Sequence, residues 1–266
     1  MNKDIENNID EFQGKIYSDG SNNQFEVAKN IIASLSLESN DKILDIGCGD
    51  GRASAELALL VPNGSVLGID ISNSMIRFAE KNYASGNLQF QQQNVLDLKY
   101  YQEFDTIVSF TALHWVKRQK TALQNIYNAL KISGKFVVRI PGKPLVGADI
   151  FVKLISTDKW KSYFKNFVKP WSEFGLDEYI RLLQSVGFKI EQASMKEKRY
   201  GYKINEFRKM NDAIFVSFIK KYIDNDLYTE FVEDYIRCFI EHNNQTEENI
   251  QFPTNLLQVS AVRTSY

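Results

Sequence analysis

Two rhythms of apolar and polar positions alternate along this chain. Lys42–Ile46, Ser65–Asp70, Phe104–Phe110 and residues 135–140 are short, mostly apolar runs, and Leu88–Gln92 turns Phe90 inward between polar neighbours. Runs of this length, bounded by Gly, Pro, Asn or Ser, predict strands. Between them the spacing changes to three and four. Phe25, Ala28, Ile31, Ile32 and Leu35 predict a helix over 24–35; Ala53, Ala55, Leu57, Ala58 and Leu60 a second, stopped by Pro62 and Gly64. Met75, Ile76 and Ala79 mark a third with Ser72 as its N-cap, and 121–130 a fourth before a turn at Ser133–Gly134. Regular alternation of strand and helix predicts an α/β fold, a parallel sheet covered by helices on both faces.

From Pro141 the rhythm breaks. Gly142, Pro144 and Gly147 lead into a stretch carrying Trp160, Phe164, Phe167 and Trp171, which reads as an insertion of helix and loop. A helix over 177–186, stopped by Gly187, and a strand over 188–192 resume the alternation. Phe215, Phe218, Ile219 and Tyr222, then Phe231, Tyr235 and Phe239, predict two helices within 205–242, and 256–262 predicts a last strand. The organisation expected is a single domain over 1–266. It has an N-terminal helical segment (1–40), a core (41–140) and a helical lid from two insertions (142–176 and 205–250). At helical spacing the lid aromatics read either as core or as the lining of an apolar pocket.

Charge narrows the partners. The 32 Lys and Arg nearly balance 33 Asp and Glu, with no long basic run, so neither nucleic acid nor a membrane surface is expected and a small molecule is. Cys48 and Cys238 are the two cysteines and show no metal-type spacing, which fits a reducing compartment; no metal is expected. The polar start lacks a signal-peptide core, and no segment approaches the apolar length of a membrane span. A cytoplasmic protein is expected, of undetermined oligomeric state.

The chemistry gathers where strands end. Ile43, Leu44 and Ile46 run into Gly47, Cys48, Gly49, Asp50 and Gly51, a turn whose glycines let the backbone approach a ligand. Asp70 ends the next strand, where a carboxylate accepts both hydroxyls of a ribose. Asp45 precedes the first glycine; it would repel a pyrophosphate but attract the ammonium and sulfonium of S-adenosylmethionine. These residues resemble the first two motifs of class I S-adenosylmethionine-dependent methyltransferases, a resemblance specific over about residues 41–140. It implies a Rossmann-like, seven-stranded mixed sheet whose last strand is antiparallel and lies between the fifth and sixth. S-adenosylmethionine is the implied cofactor. Asp45, Gly47, Cys48, Gly49 and Asp70 would hold it, with Ile71 against adenine, Asn94 and Val95 at the third motif, and Phe110 at the end of the fourth strand. Asn94 stands where an acidic residue is common, and Asp97 competes for that contact.

The substrate signal is Ser109-Phe110-Thr111-Ala112-Leu113-His114-Trp115. It is similar to the Leu-His-Trp segment of juvenile hormone acid and SABATH carboxyl methyltransferases, and to the Leu-Gln-Trp of trans-aconitate and malonyl carrier-protein methyltransferases. All of these methylate carboxylates. An indole N–H only donates, so Trp115 suits a carboxylate, which only accepts. Tyr17, Ser21 and Gln24 resemble a SABATH run, Gly20 replacing its asparagine, in which the tyrosine reaches the cofactor and the glutamine the substrate carboxylate. The expectation is therefore O-methylation of a small, partly apolar carboxylic acid, with Gln24 and Trp115 as the orienting pair. The alternatives are a malonyl carrier-protein methyltransferase, or hydroxyl or amine methylation with His114 as base.

Overall fold

The computed structural model describes residues 17–215 and 218–265. In chain order the elements are α1 (Asn22–Ile32), β1 (Lys42–Ile46), α2 (Arg52–Leu60), β2 (Ser65–Asp70), α3 (Asn73–Tyr83), β3 (Leu88–Gln92), β4 (Phe104–Phe110), α4 (Gln119–Ala129), β5 (Leu130–Pro141), α5 (Ala148–Ile155), α6 (Leu176–Gln184), β6 (Phe188–Tyr202), α7 (Ile204–Phe215), α8 (Asn225–His242) and β7 (Ile250–Arg263). The expected N-terminal helical segment lies partly outside the described residues.

One seven-stranded sheet runs in the order β3-β2-β1-β4-β5-β7-β6. The first five strands pair in parallel, and β7 lies antiparallel between β5 and β6. This is the expected mixed Rossmann-like sheet. Because successive side chains on a strand face opposite ways, the buried strand residues divide between two cores. Ile43, Val108 and Val137 pack with Ile31 of α1, Leu57 of α2 and Ile76 of α3. Leu44, Ile107, Phe136 and Val138 pack with Leu123 and Ile126 of α4 and Leu183 of α6 on the other face. Strands buried on both faces need apolar residues throughout, which is why β1 and β4 read as continuous runs.

Several boundaries move. The first helix runs over Asn22–Ile32 rather than 24–35, and α4 starts at Gln119. The buried amide of Gln119 bonds the carbonyls of Leu113 and Val116, tying the helix start to the end of β4. Ser72 caps α3 as expected, accepting from the Met75 N–H.

The largest departure is the length of β6 and β7. The pairing of β7 with β5 ends at Pro141 opposite Leu256, but the pairing with β6 continues from Glu197 opposite Asn255 to Tyr202 opposite Ile250. A two-stranded ribbon thus leaves the sheet and reaches the lid. Met195–Arg199 is exposed at every position, so this stretch shows no apolar strand signal.

The lid has its own core. Phe151 of α5, Trp160, Phe164, Phe207 of α7, Phe231 and Phe239 of α8, and Ile250 are buried together. Trp160 donates its indole N–H to Asp234 at 2.9 Å, and the Lys159 ammonium reaches the same carboxylate oxygen. Among the described residues, no helix is long and apolar enough to cross a membrane.

Candidate active site

A cavity of about 740 Å³ opens at the carboxyl ends of β1, β2, β4 and β5, between the sheet and the lid. This is where an open parallel sheet binds ligands. Its floor on one side is the turn between β1 and α2. Gly47 and Gly49 both have left-handed φ, 72° and 55°. Ile69 of β2 accepts the N–H groups of Gly47 and Cys48 at 2.7 and 3.0 Å, which pins the turn to the next strand. A Cβ on Gly47 would stand 2.1 Å from that of Ala112, so only glycine lets the turn pack against the end of β4.

The Asp70 carboxylate organises the neighbouring strand end. One oxygen accepts from the Gly49 N–H at 3.1 Å and the other from the Ser72 N–H at 2.8 Å. Each oxygen keeps a lone pair for a ligand hydroxyl. Burial raises the Asp70 pKa, and the backbone donors of Ser72 and Gly49 oppose the shift. Beside it, Ile71 is exposed to 67 % although large and apolar. With Met75, Val95 and Leu96 it borders the cavity as an apolar slot. Asn94 lines the same region, but its carbonyl oxygen caps a short 3₁₀ turn by accepting from the Leu96 N–H at 2.9 Å. One lone pair of that oxygen is thereby used. The competing Asp97 does not line the cavity.

Tyr17 and Gln24 come to the cavity from the N-terminal segment. Arg52 holds that segment down. Its guanidinium donates to Asp50, to Asn22, to the Ser21 hydroxyl and to the Ser18 carbonyl, and lies 4.7 Å from the centre of the Phe25 ring. The side-chain oxygen of Gln24 is buried and accepts no hydrogen bond. Burial raises the Tyr17 phenol well above its ordinary value, and Asp50 and Asp70 add to the shift.

Three expected cofactor contacts stand elsewhere. Asp45, Cys48 and Phe110 do not line the large cavity; they border a smaller recess beneath the glycine turn. Asp45 is buried and accepts from the Ser54 hydroxyl at 2.6 Å, and burial pushes its carboxyl up to about 7. The Cys48 thiol is likewise raised by burial.

On the other side, a 3₁₀ turn, Leu113–Trp115, carries His114 and Trp115 to the wall. The Trp115 ring packs 5.7 Å from Phe218 and 6.3 Å from Trp171, and its N–H meets no acceptor among the described residues. His114 is buried, its Nδ1 has no partner, and burial, helped by Arg139, pulls its pKa down to about 3. It stays neutral at working pH. The lid aromatics separate into two sets. Trp171, Phe215, Phe218 and Tyr235 face the cavity, whereas Trp160, Phe164, Phe167 and Phe231 only build the lid.

Sequence reading missed Arg139, Tyr200 and Tyr202, all on the cavity wall. Arg139 was legible only as one residue of an apolar strand, and both tyrosines lie in the polar ribbon.

These features fit S-adenosylmethionine: free acceptor capacity on Asp70, an apolar slot at Ile71, and a glycine turn open to a ligand. A family described as "Methyltransferase domain" matches residues 37–207. The chain belongs to it. The methyltransferase is 29% identical over 238 residues to juvenile hormone acid O-methyltransferase of Bombyx mori, covering 83% of this chain and 84% of that one. It is 30% identical over 226 residues to the enzyme of the same name from Drosophila melanogaster, covering 80% and 75%. Its fold matches phosphoethanolamine N-methyltransferase 2 of Haemonchus contortus, solved in complex with S-adenosyl-L-methionine. The TM-score is 0.56 at 15% identity, over 91% of this chain and 53% of that one. The methyltransferase is an enzyme whose cofactor is S-adenosylmethionine.

Proposed function

We propose that this methyltransferase O-methylates the carboxylate of a small acid with an apolar tail. The observation that carries the reading is Trp115, a donor-only N–H with no acceptor among the described residues, set at the end of β4 beside the aromatic wall of Trp171 and Phe218. S-adenosylmethionine supplies a methyl group on a sulfonium, and transfer to an ionised carboxylate releases no proton. A carboxylate with an ordinary pKa near ~4 is ionised at neutral pH and needs no base. His114, neutral to about pH 3, is a weak base and suits this chemistry better than transfer to a hydroxyl or an amine.

The chain's task is then to position and to exclude water. Gln24 and Trp115 orient the acid, and Phe151, Phe215 and Phe218 cover its tail. Tyr17, Gly47, Gly49, Asp70, Ile71, Asn94 and Val95 form the cofactor half. The Bombyx and Drosophila relatives, named for an acid substrate, support the assignment. Cys48 and Cys238 are free thiols, in keeping with a reducing, cytoplasmic setting.

The test is transfer of labelled methyl to a panel of fatty, terpenoid, aromatic and tricarboxylic acids, followed by mild alkali. A methyl ester releases its label as methanol. Label that survives alkali, or that appears only with amines and alcohols, would overturn the reading.

A further inference from the structure

Among the described residues, Arg139 is the one guanidinium on the wall of the large cavity. It sits on β5 and is only 4 % exposed. One Nη donates to the Thr111 hydroxyl, while its Nε–H is buried without a partner. Among the described residues no carboxylate stands within ion-pairing distance of it. Burial pulls its pKa down to about 10, with Tyr200 and Tyr17 opposing the shift. A buried charge without a counter-ion is costly, and buried charges are as a rule paired; the cavity is where a partner for this one can enter. The free edge of a guanidinium matches a carboxylate's two oxygens.

Sheet order says which half of the cavity that ligand occupies. Arg139 pairs with Phe110 of β4 on one side and Gln258 of β7 on the other. Strands lie about 4.8 Å apart, so β5 is roughly 10 Å from the strand leading into the glycine turn and roughly 14 Å from the strand of Asp70. Arg139 therefore stands on the acceptor side of the cavity, near enough to His114 and to Tyr17 for its charge to act on both.

We propose that Arg139 binds the carboxylate of the acid substrate and sets the enzyme's preference for acids over their uncharged isosteres. The proposal rests on the carboxyl-methylation reading. The cofactor has a carboxylate of its own, and the experiment separates the two sources.

Calorimetry on the protein loaded with S-adenosylhomocysteine compares dodecanoate with dodecanamide, for the wild type, Arg139→Lys and Arg139→Met. The wild type should prefer the acid by about tenfold or more, as expected for a charge-assisted pair. Arg139→Lys should keep part of that preference and Arg139→Met none. Affinity for S-adenosylhomocysteine alone should stay within about twofold in both variants. The melting temperature of ligand-free Arg139→Met should equal or exceed the wild type's, because an uncompensated buried charge is gone. Equal binding of acid and amide by the wild type would overturn the proposal. So would a large loss of S-adenosylhomocysteine affinity in Arg139→Met, which would give the arginine to the cofactor's carboxylate. A variant melting far below the wild type would make Arg139 a structural pin to Thr111. The assay reads carboxylate binding without turnover, so its failure is distinct from alkali-stable label in the transfer experiment, which would sink the carboxyl reading itself.

Discussion

The ring of Tyr17 lies against Gly49: a Cβ on that glycine would stand 3.3 Å from Tyr17 Cε1. The residue ahead of the glycine turn in sequence by more than a whole helix and strand thus closes over it in space. Gly49 also holds φ at 55°, a conformation that a β-branched residue resists. Gly49→Val is expected to displace Tyr17 and to lower S-adenosylhomocysteine affinity by about tenfold or more, in a protein whose circular dichroism is unchanged. Normal binding by that variant would leave the turn a purely structural feature.

Asp70 joins the glycine turn to the cap of α3 through its two backbone donors. Asp70→Ala removes both acceptors and the lone pairs that the proposed cofactor contact would use. A charge-assisted hydrogen bond contributes about 1.5–3 kcal/mol, so calorimetry should show S-adenosylhomocysteine affinity falling by roughly one to two orders of magnitude. Unchanged affinity would remove Asp70 from the cofactor site.

Turnover should show no inflection from His114 or Arg139 between about pH 6 and pH 9. His114 is already neutral there, and Arg139, with a pKa of about 10, is still charged. Trp115→Phe should lower the rate by about tenfold or more through the loss of one orienting donor, without changing the shape of that profile. A rate that rises through the ordinary histidine range would instead reveal a titrating base.

Asp45 gives stability the opposite tilt from a salt-bridged carboxylate. Its pKa is 3.8 in the unfolded reference and about 7 in the fold, so between those values the native state holds a proton that the unfolded chain has lost. Stability from this group therefore falls as pH rises through that window and levels off above it. Asp45→Asn, which can still accept from Ser54, should gain in melting temperature relative to the wild type on going from about pH 5 to about pH 8. A difference independent of pH would contradict the shift.

The lid depends on a carboxylate that sequence inspection passes over. Asp234 accepts from Trp160 and Lys159, and also pairs with Arg237. Asp234→Ala leaves the buried Trp160 N–H unpaired, a penalty of about 1–3 kcal/mol. The melting temperature should drop by several degrees, and a thermal scan showing no change would mean that the aromatic packing alone holds the lid.

Strands β1 to β4, the glycine turn and Asp70 were legible because each is specified locally. A strand buried on both faces must be apolar at nearly every position, a turn with left-handed φ at three places needs glycine there, and a residue that ends one strand reaches the ligand edge by strand order alone. The order with β7 between β5 and β6 followed from family resemblance, since no local pattern encodes which strands pair. Other features were decided only by tertiary structure. The ribbon of β6 and β7 shows a solvated face and so has no apolar signature, yet it carries Tyr200 and Tyr202 to the cavity. Trp171 faces the cavity while Trp160 is lid core, although both sit in the same aromatic stretch, because the distinction depends on which neighbours cover each ring. Arg139 is a cation in an otherwise apolar strand. It becomes a ligand-seeking charge only when the N-terminal segment, the end of β4 and the ribbon close around it and take it out of water.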